Sequence, residues 1–158
     1  VVYGAANGDL VDAFTRTDKT SYVAVMHEQA GGFAAEAFSK ISGKICAAMA
    51  TSGPGGMNFV TPIGNCFYDS VPAIFITGQI NSRFLRPDES IRQIGFQETD
   101  IVSMVKPITK FSYRVFSTTT LIEIETVTRH RRINHRFSYV STTTELPCSM
   151  HPLQKRAA

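Results

Sequence analysis

The sequence predicts an α/β domain with a mostly parallel sheet and helices on both faces. Short runs that are apolar at successive positions alternate with longer stretches of helical periodicity, and most of the apolar runs end at glycine or another turn residue. Strands that are apolar on both faces are typical of parallel sheets covered by helices. The size agrees, because 158 residues, 43% hydrophobic and 18% charged, can bury one sizeable core.

Residues 1–43 predict two strands, each followed by a helix. Val1–Ala5 is the first apolar run, and the segment Asp9–Thr17 after it carries acidic residues in its first turn, which favour a helix N-terminus. Ser21–Met26 is the second run, and apolar residues then recur at helical spacing up to Gly43. The apolar helical faces comprise Leu10, Val11 and Phe14 in the first helix and Phe33, Ala34, Ala37, Phe38 and Ile41 in the second.

Residues 44–79 predict a third and a fourth strand with one helix between them. Lys44–Thr51 and Val71–Thr77 are the strands, and the helix Met57–Tyr68 repeats Phe59, Val60, Ile63 and Phe67 at helical spacing. Ligands of parallel α/β sheets bind beyond the carboxyl ends of the strands. The candidate site therefore comprises the loops that hold Glu28, residues 52–56 and residues 78–79.

The composition changes near residue 115. Residues 1–115 carry equal numbers of acidic and basic side chains and all the glycines, whereas residues 116–158 are basic, rich in Ser and Thr, and lack a clean period of 2 or 3.6. We expect an irregular C-terminal tail there, disordered or read from a shifted frame. The basic run at residues 129–132 lacks interleaved aromatic residues, so the sequence does not favour nucleic-acid binding.

Several other classes of protein are disfavoured. The sequence has no stretch of about 18 apolar residues that would span a membrane and no signal peptide at its start. Three cysteines without a CxxC pair argue against a disulfide scaffold, and the histidines lack metal-ligand spacing. We therefore expect a cytoplasmic protein with no membrane contact and no metal site of its own. The initial Val suggests a fragment.

Two motifs at the expected ligand edge each have two interpretations. The TSGPGG turn is neither a Walker loop nor GxGxxG; it either presents backbone N–H groups to an anion or makes a tight connection from strand to helix. Glu28 is either a charge at a helix N-terminus or a carboxylate in a dry cleft that exchanges a proton with a ring nitrogen of a ligand. Periodicity does not decide between these interpretations.

Three longer strings, at residues 26–44, 50–80 and 94–110, resemble the pyrimidine-binding domain of thiamine-diphosphate enzymes in the acetolactate synthase family. The resemblance covers roughly residues 1–115 and implies the thiamine-diphosphate-binding fold. Residues 1–115 would then be a pyrimidine-binding domain, incomplete at its end, and residues 116–158 an atypical tail. Three motifs in the family's order are more specific than any single loop signature.

The resemblance also implies roles for individual residues. Glu28 matches the glutamate that bonds N1′ of the cofactor's aminopyrimidine ring and so promotes loss of the C2 proton. Gln97 matches a polar catalytic position, although a glutamine is equally a surface amide. The residues that match the pyrimidine-side loop are Ser52, Gly53, Pro54 and Gly55. Gln29 and Phe33 match substrate-side positions. The alternative for Gln29 is an ordinary surface amide, and the alternative for Phe33 is a residue of the helix core.

For the whole enzyme, the resemblance implies decarboxylation and carboligation of a 2-oxo acid such as pyruvate, the chemistry of a lyase or transferase. The family's GDG motif is missing, so the diphosphate and Mg²⁺ are expected on a domain of another chain, in a homo-oligomer such as a dimer. The FAD-binding domain is missing too, although the intact enzyme could use FAD. The isolated chain is therefore expected to be inactive.

Three alternatives remain open. The chain could be the pyrimidine-side subunit of a two-subunit thiamine-diphosphate decarboxylase. The segment at residues 81–98 also resembles thiamine enzymes of polysaccharide biosynthesis, which leaves the exact reaction open. The third alternative is a non-catalytic binding module whose basic tail engages an acidic partner.

Overall fold

The structure is a computed structural model and describes residues 1–115 and the strand at residues 138–143. Its α-helices within this range are α1 (Gly8–Thr15), α2 (Glu28–Ser42), α3 (Pro54–Met57), α4 (Val60–Tyr68) and α5 (Ile101–Val105). Its strands are β1 (Cys46–Ala50), β2 (Ala73–Gly78), β3 (Phe111–Val115) and β4 (Ser138–Thr143). Short 3₁₀ helices occupy Ala5–Asn7, Ser82–Phe84 and Lys106–Ile108.

The strands form one sheet in the order β1-β2-β4-β3, and every neighbouring pair is parallel. In the register of β1 and β2, Ala48 lies opposite Phe75. The predicted α/β class with a mostly parallel sheet is therefore confirmed. Because the strands are parallel, the loops that follow β1 and β2 emerge at the same edge of the sheet.

One face of the sheet carries the hydrophobic core. Ala48 and Phe75 are buried on this face, and Phe59 packs the edge of its ring against Phe75, with 5.2 Å between the ring centroids. Helix α2 approaches closely at Gly32, where an added Cβ would lie 2.7 Å from Cβ of Pro62 in α4. The small residue at position 32 thus allows α2 and α4 to pack against each other over β2.

A buried carboxylate links the middle of α2 to the end of α4. Glu36, 4% exposed, accepts a hydrogen bond from Nδ2 of Asn65 and pairs with Nζ of Lys40 at 2.6 Å. Nζ of Lys40 also lies 2.6 Å from Asp69, and hydrogen bonds to Asp69 and Glu36 raise the pKa of Lys40. Burial, with the nearby charge of Glu36, raises the pKa of the Cys66 thiol to about 12.

Two of the predicted strands are wrong. Val1–Ala5 and Ser21–Met26 run as extended segments side by side, joined by a hydrogen bond from Val25 N to Val1 O, and Val2 N donates to Met49 O at the edge of β1. These isolated bonds do not make a continuous ladder. The first segment turns into a 3₁₀ helix at Ala5, and the second is largely exposed, with Val23 77% and Met26 fully exposed, so burial does not favour a strand there.

The remaining elements differ from the prediction in detail. The predicted helix Met57–Tyr68 is divided, because α3 ends at Met57 and α4 begins only at Val60. The sequence predicts an irregular tail after residue 115, but residues 138–143 form strand β4. This segment contains Tyr, Val and Thr, which favour strands. The basic run at residues 129–132 lies outside the described residues.

In the part of the chain that the structure describes, none of the helices combines the length and the apolar character needed to cross a membrane.

Two glycine substitutions test the packing of α2 on α4. Gly32→Ala should lower the free energy of unfolding by about 1–3 kcal/mol, because the new methyl group meets the rigid ring of Pro62. Gly64→Ala, within α4, should raise it by roughly 0.5–1 kcal/mol, because its Cβ meets only Cδ1 of Ile108, at 3.8 Å, and alanine favours the helix. Urea unfolding followed by circular dichroism measures both. Changes of the same sign would contradict this account of the interface.

Candidate functional site

Glu28 is the first residue of α2, at the ligand edge that the sequence predicts. His27 precedes it as the N-cap in an extended conformation, and Nδ1 of His27 accepts a hydrogen bond from Gln29 N at 3.2 Å. This cap fixes where the helix begins. It therefore also fixes the direction in which the half-buried Glu28 leaves the backbone.

The carboxylate of Glu28 lies against the glycine turn and not in bulk solvent. Nδ2 of Asn58 donates a hydrogen bond to Oε2 of Glu28 at 2.9 Å. On the other side, a Cβ added to Gly55 would lie 3.3 Å from Oε1 of Glu28. The structure therefore brings together Glu28 and Gly55, which the resemblance places around one ring of the cofactor.

The turn after β1 is closely packed. Gly53 has φ +59° and ψ −128°, a conformation that favours glycine, and a Cβ there would lie 2.7 Å from the carbonyl oxygen of Gln97. Pro54 begins α3, and a Cβ on Gly55 would lie 2.7 Å from Cγ2 of Thr51. Both glycines are buried. The turn is thus a tight connection from strand to helix, which is one of the two interpretations that the sequence leaves open. Its two glycines also allow Glu28 and Gln97 to approach the turn closely.

Gln97 belongs to a loop that is fixed by buried and half-buried polar groups. It has a positive φ of 55°, which is uncommon for a residue other than glycine. Its neighbour Glu98 accepts hydrogen bonds from the backbone N–H groups of Arg86, at 2.9 Å, and Ile94, at 3.2 Å. Gln79, 3% exposed, donates through Nε2 to Thr99 O at 3.0 Å. The end of β2 and the carboxylate of Glu98 therefore hold Gln97 against the turn.

The same loop ends at α5, which is capped by Asp100. This carboxylate accepts hydrogen bonds from the backbone and the hydroxyl of Ser103, and Nη2 of Arg114 in β3 lies 3.0 Å from its Oδ1. Burial alone would raise the pKa of Asp100, but the hydrogen bonds from Ser103 and the charge of Arg114 outweigh it and hold the pKa below its usual value.

A cavity of about 530 Å³ opens beside the turn. It is bounded by the first helical turns of the chain, the start of the glycine turn and the loop before α5. The lining residues are Ala5–Leu10, Thr51, Ser52, Gln79–Asn81, Phe84 and Gly95–Gln97. Two of the residues singled out from the sequence, Ser52 and Gln97, thus face one cavity, whereas Glu28 contacts the turn from outside that lining.

Gln29 and Phe33 lie on the first two turns of α2 and are not among the residues that line the cavity. Gln29 is half-buried. Phe33 leaves 38% of its surface exposed, so it is not part of the hydrophobic core. The structure therefore does not place these two side chains together with Ser52 and Gln97.

Sequence reasoning missed two polar residues that hold the site, Asn58 and Glu98, and it placed Gln79 at the ligand edge without identifying its contact. Asn58 had a weak signal, since it is a polar amide that interrupts an apolar run directly after the glycine turn. In the described residues, no group of three or more His, Cys, Asp or Glu side chains is arranged to hold a metal ion.

Comparisons with known proteins point in one direction. A family model described as "Thiamine pyrophosphate enzyme, N-terminal TPP binding domain" matches residues 1–104. Acetolactate synthase 2, chloroplastic, of Brassica napus is 42% identical over 112 residues, which cover 71% of this chain and 17% of that protein. The acetolactate synthase large subunit of Corynebacterium glutamicum is 38% identical over 118 residues, covering 73% and 18%. The chain thus spans less than a fifth of the length of these relatives.

Alanine at two glycines of positive φ tests the packing of the turn. Gly43→Ala should cost about 1–2 kcal/mol of unfolding free energy, from backbone strain alone, because nothing lies within 4 Å of its Cβ. Gly53→Ala should cost about 1–3 kcal/mol more, because ψ −128° at Gly53 lies outside the left-handed helical region and the methyl group must also displace Gln97. Urea unfolding measures the difference, and the backbone amide signal of Gln97 should shift only in Gly53→Ala. Equal losses would contradict the close approach of Gln97.

Proposed function

The chain belongs to the thiamine pyrophosphate enzyme family as a carrier of its N-terminal TPP-binding domain, and from this premise we propose that it supplies the aminopyrimidine side of a thiamine-diphosphate site. One observation carries the proposal: the carboxylate of Glu28 meets the glycine turn at Gly55, at the edge of the sheet where ligands bind. The similarity to acetolactate synthases supports the same reading.

The residues around Glu28 fit an aminopyrimidine ring. Asn58 donates a hydrogen bond to Oε2 of Glu28, and we assign Oε1, beside the bare backbone of Gly55, as the oxygen that meets a ring nitrogen. A side chain at position 55 would fill this space. Gly53, Pro54 and Ser52 continue the same surface, where small residues allow the backbone to approach a flat ring.

Within this site, Glu28 holds and exchanges a proton at Oε1. A carboxylate fixed against a ring nitrogen can protonate that nitrogen and take the proton back, which is general acid–base catalysis through a positioned side chain. When bound, thiamine diphosphate supplies the carbon nucleophile and the electron sink that decarboxylation of a 2-oxo acid requires. The glycine turn lies beside Oε1 of the carboxylate, and the cap at His27 keeps the helix start in place.

The cavity beside the turn is proposed to receive the substrate. Gln97 and Ser52 line it, together with the ring of Phe84. These residues can offer polar contacts to a carboxylate or carbonyl group and an apolar wall for its alkyl part. Because the similar proteins are acetolactate synthases, we propose a small 2-oxo acid such as pyruvate. Gln29 and Phe33 remain predicted substrate-side residues, although they do not line this cavity.

The diphosphate and Mg²⁺ are proposed to bind on a second domain, contributed by another chain of a homo-oligomer. The described residues hold no acidic cluster that could take a metal ion. The sequence also lacks the GDG motif. A site made of two halves agrees with the position of the proposed catalytic residues Glu28 and Gln97 at one edge of the sheet. FAD, if the intact enzyme uses it, has no proposed site on this chain.

Glu28→Gln tests the role of the carboxylate in the assembly of this chain with its diphosphate-binding domain. The amide cannot exchange a proton with the ring, so exchange of the cofactor's C2 proton for deuterium should slow by about 10²–10⁴. Rapid-quench NMR measures the rate. Glu89→Gln, which changes an exposed acid outside the site, should leave it unchanged. Wild-type exchange in Glu28→Gln would refute the proposal.

The two-domain arrangement has a separate test. The isolated chain, supplied with thiamine diphosphate, Mg²⁺ and pyruvate, should release no carbon dioxide above the level of the cofactor alone, because the group that positions the diphosphate is proposed to lie on another chain. A coupled assay for carbon dioxide provides the measurement. Robust turnover would show that the chain contains the whole site.

A further inference from the structure

We propose that Asn58 is a positioning residue for Glu28: its side-chain amide holds Oε2 so that Oε1 is the oxygen presented beside Gly55. The inference rests on the proposed function and deepens it, since it says how this chain selects the oxygen that exchanges the proton. Neither the resemblance nor the periodicity of the sequence pointed to this residue.

Asn58 is itself held in place by the turn. It is the C-cap of α3, with φ −64° and ψ −13°, and its backbone N–H donates to Pro54 O at 3.1 Å. Its side chain is half-buried and reaches Oε2 of Glu28 at 2.9 Å, a normal length for an N–H group bound to a carboxylate. The amide therefore transmits the position of the rigid turn to the carboxylate.

The fixed orientation matters because a free glutamate has several rotamers, and its two oxygens exchange places by rotation. A proton transfer needs one oxygen within hydrogen-bonding distance of the ring nitrogen. A displacement of about 1 Å can cost roughly 10²-fold in rate. The bond from Asn58 to Oε2 and the backbone of Gly55 beside Oε1 restrict Glu28 from two sides.

The donor is also chemically suited to this role. Asn58 is neutral, so it orients the carboxylate through a hydrogen bond without forming an ion pair with it. Among the ion pairs of the described residues, none includes Glu28. Glu36, two turns further along the same helix, provides the contrast, because it is bound both by the amide of Asn65 and by the ammonium of Lys40.

This parallel supplies a matched control. Asn58→Ala and Asn65→Ala each remove a side-chain amide that bonds a carboxylate of α2, at 2.9 Å and 3.1 Å, but only Asn58 lies at the glycine turn. Both variants should lose some stability. A merely structural role for Asn58 predicts the same functional outcome for the two.

The test measures C2 deuterium exchange in the assembled enzyme for Asn58→Ala, Asn65→Ala, Glu28→Gln and the double variant of Asn58 and Glu28. Asn58→Ala should slow exchange roughly 10- to 100-fold, with a much smaller change in cofactor affinity. Asn65→Ala should exchange as the wild type does. Adding Asn58→Ala to Glu28→Gln should slow exchange no further, because Asn58 acts only through Glu28.

Three results would overturn the inference: wild-type exchange in Asn58→Ala, equal slowing in Asn65→Ala, or an unchanged effect of Asn58→Ala in the Glu28→Gln background. A second measurement separates this inference from the proposed function. The side-chain amide signals of Asn58 in an NMR spectrum of this chain should move in Glu28→Gln, whereas those of Asn65 should not. Stationary Asn58 signals overturn the contact itself; wild-type exchange in Glu28→Gln, with the contact intact, overturns the proposed function and with it the role of Asn58.

Discussion

The candidate site depends on the absence of side chains at two positions of the turn after β1. Gly53 lets the backbone of Gln97 come into contact, and Gly55 does the same for the carboxylate of Glu28. A Cβ at position 53 would meet the backbone of Gln97, and a Cβ at position 55 would meet Thr51 and the carboxylate of Glu28. The turn is therefore the common surface against which an acid from one element and an amide from another are aligned, although they lie far apart in sequence.

The sequence allowed prediction of those features that depend on local order. The periodicity of α2, the apolar runs of β1 and β2, and the glycine turn between β1 and α3 all follow from neighbouring residues. The segments at Val1–Ala5 and Ser21–Met26 have similar runs, but whether such a run becomes a strand depends on partners that periodicity does not reveal. The hydrogen bonds of Asn58, Gln79 and Glu98 were not predictable for a related reason, since polar side chains select their partners in three dimensions.

Two glutamates of α2 show how similar residues serve different purposes. At the start of the helix, Glu28 is bound by a neutral amide and faces the turn. In its middle, Glu36 is buried with Lys40, which also pairs with Asp69 beyond α4. A buried carboxylate that is both hydrogen-bonded and ion-paired connects the helices that carry its partners. The proposed catalytic acid and the structural acid thus have the same type of side chain but different partners. Glu28 is bound by a neutral amide, whereas Glu36 is also paired with the ammonium of Lys40.

The thiol of Cys66 gives experimental access to the motion of that scaffold. Because it is 1% exposed and its pKa is raised to about 12, it is neither reachable nor ionised at neutral pH while α2 and α4 stay packed. Alkylating reagents can modify it only in molecules that have opened at this contact. The rate at which Cys66 is modified therefore reports how often α2, which begins at Glu28, separates transiently from α4. This rate is measurable in the native protein without an engineered probe.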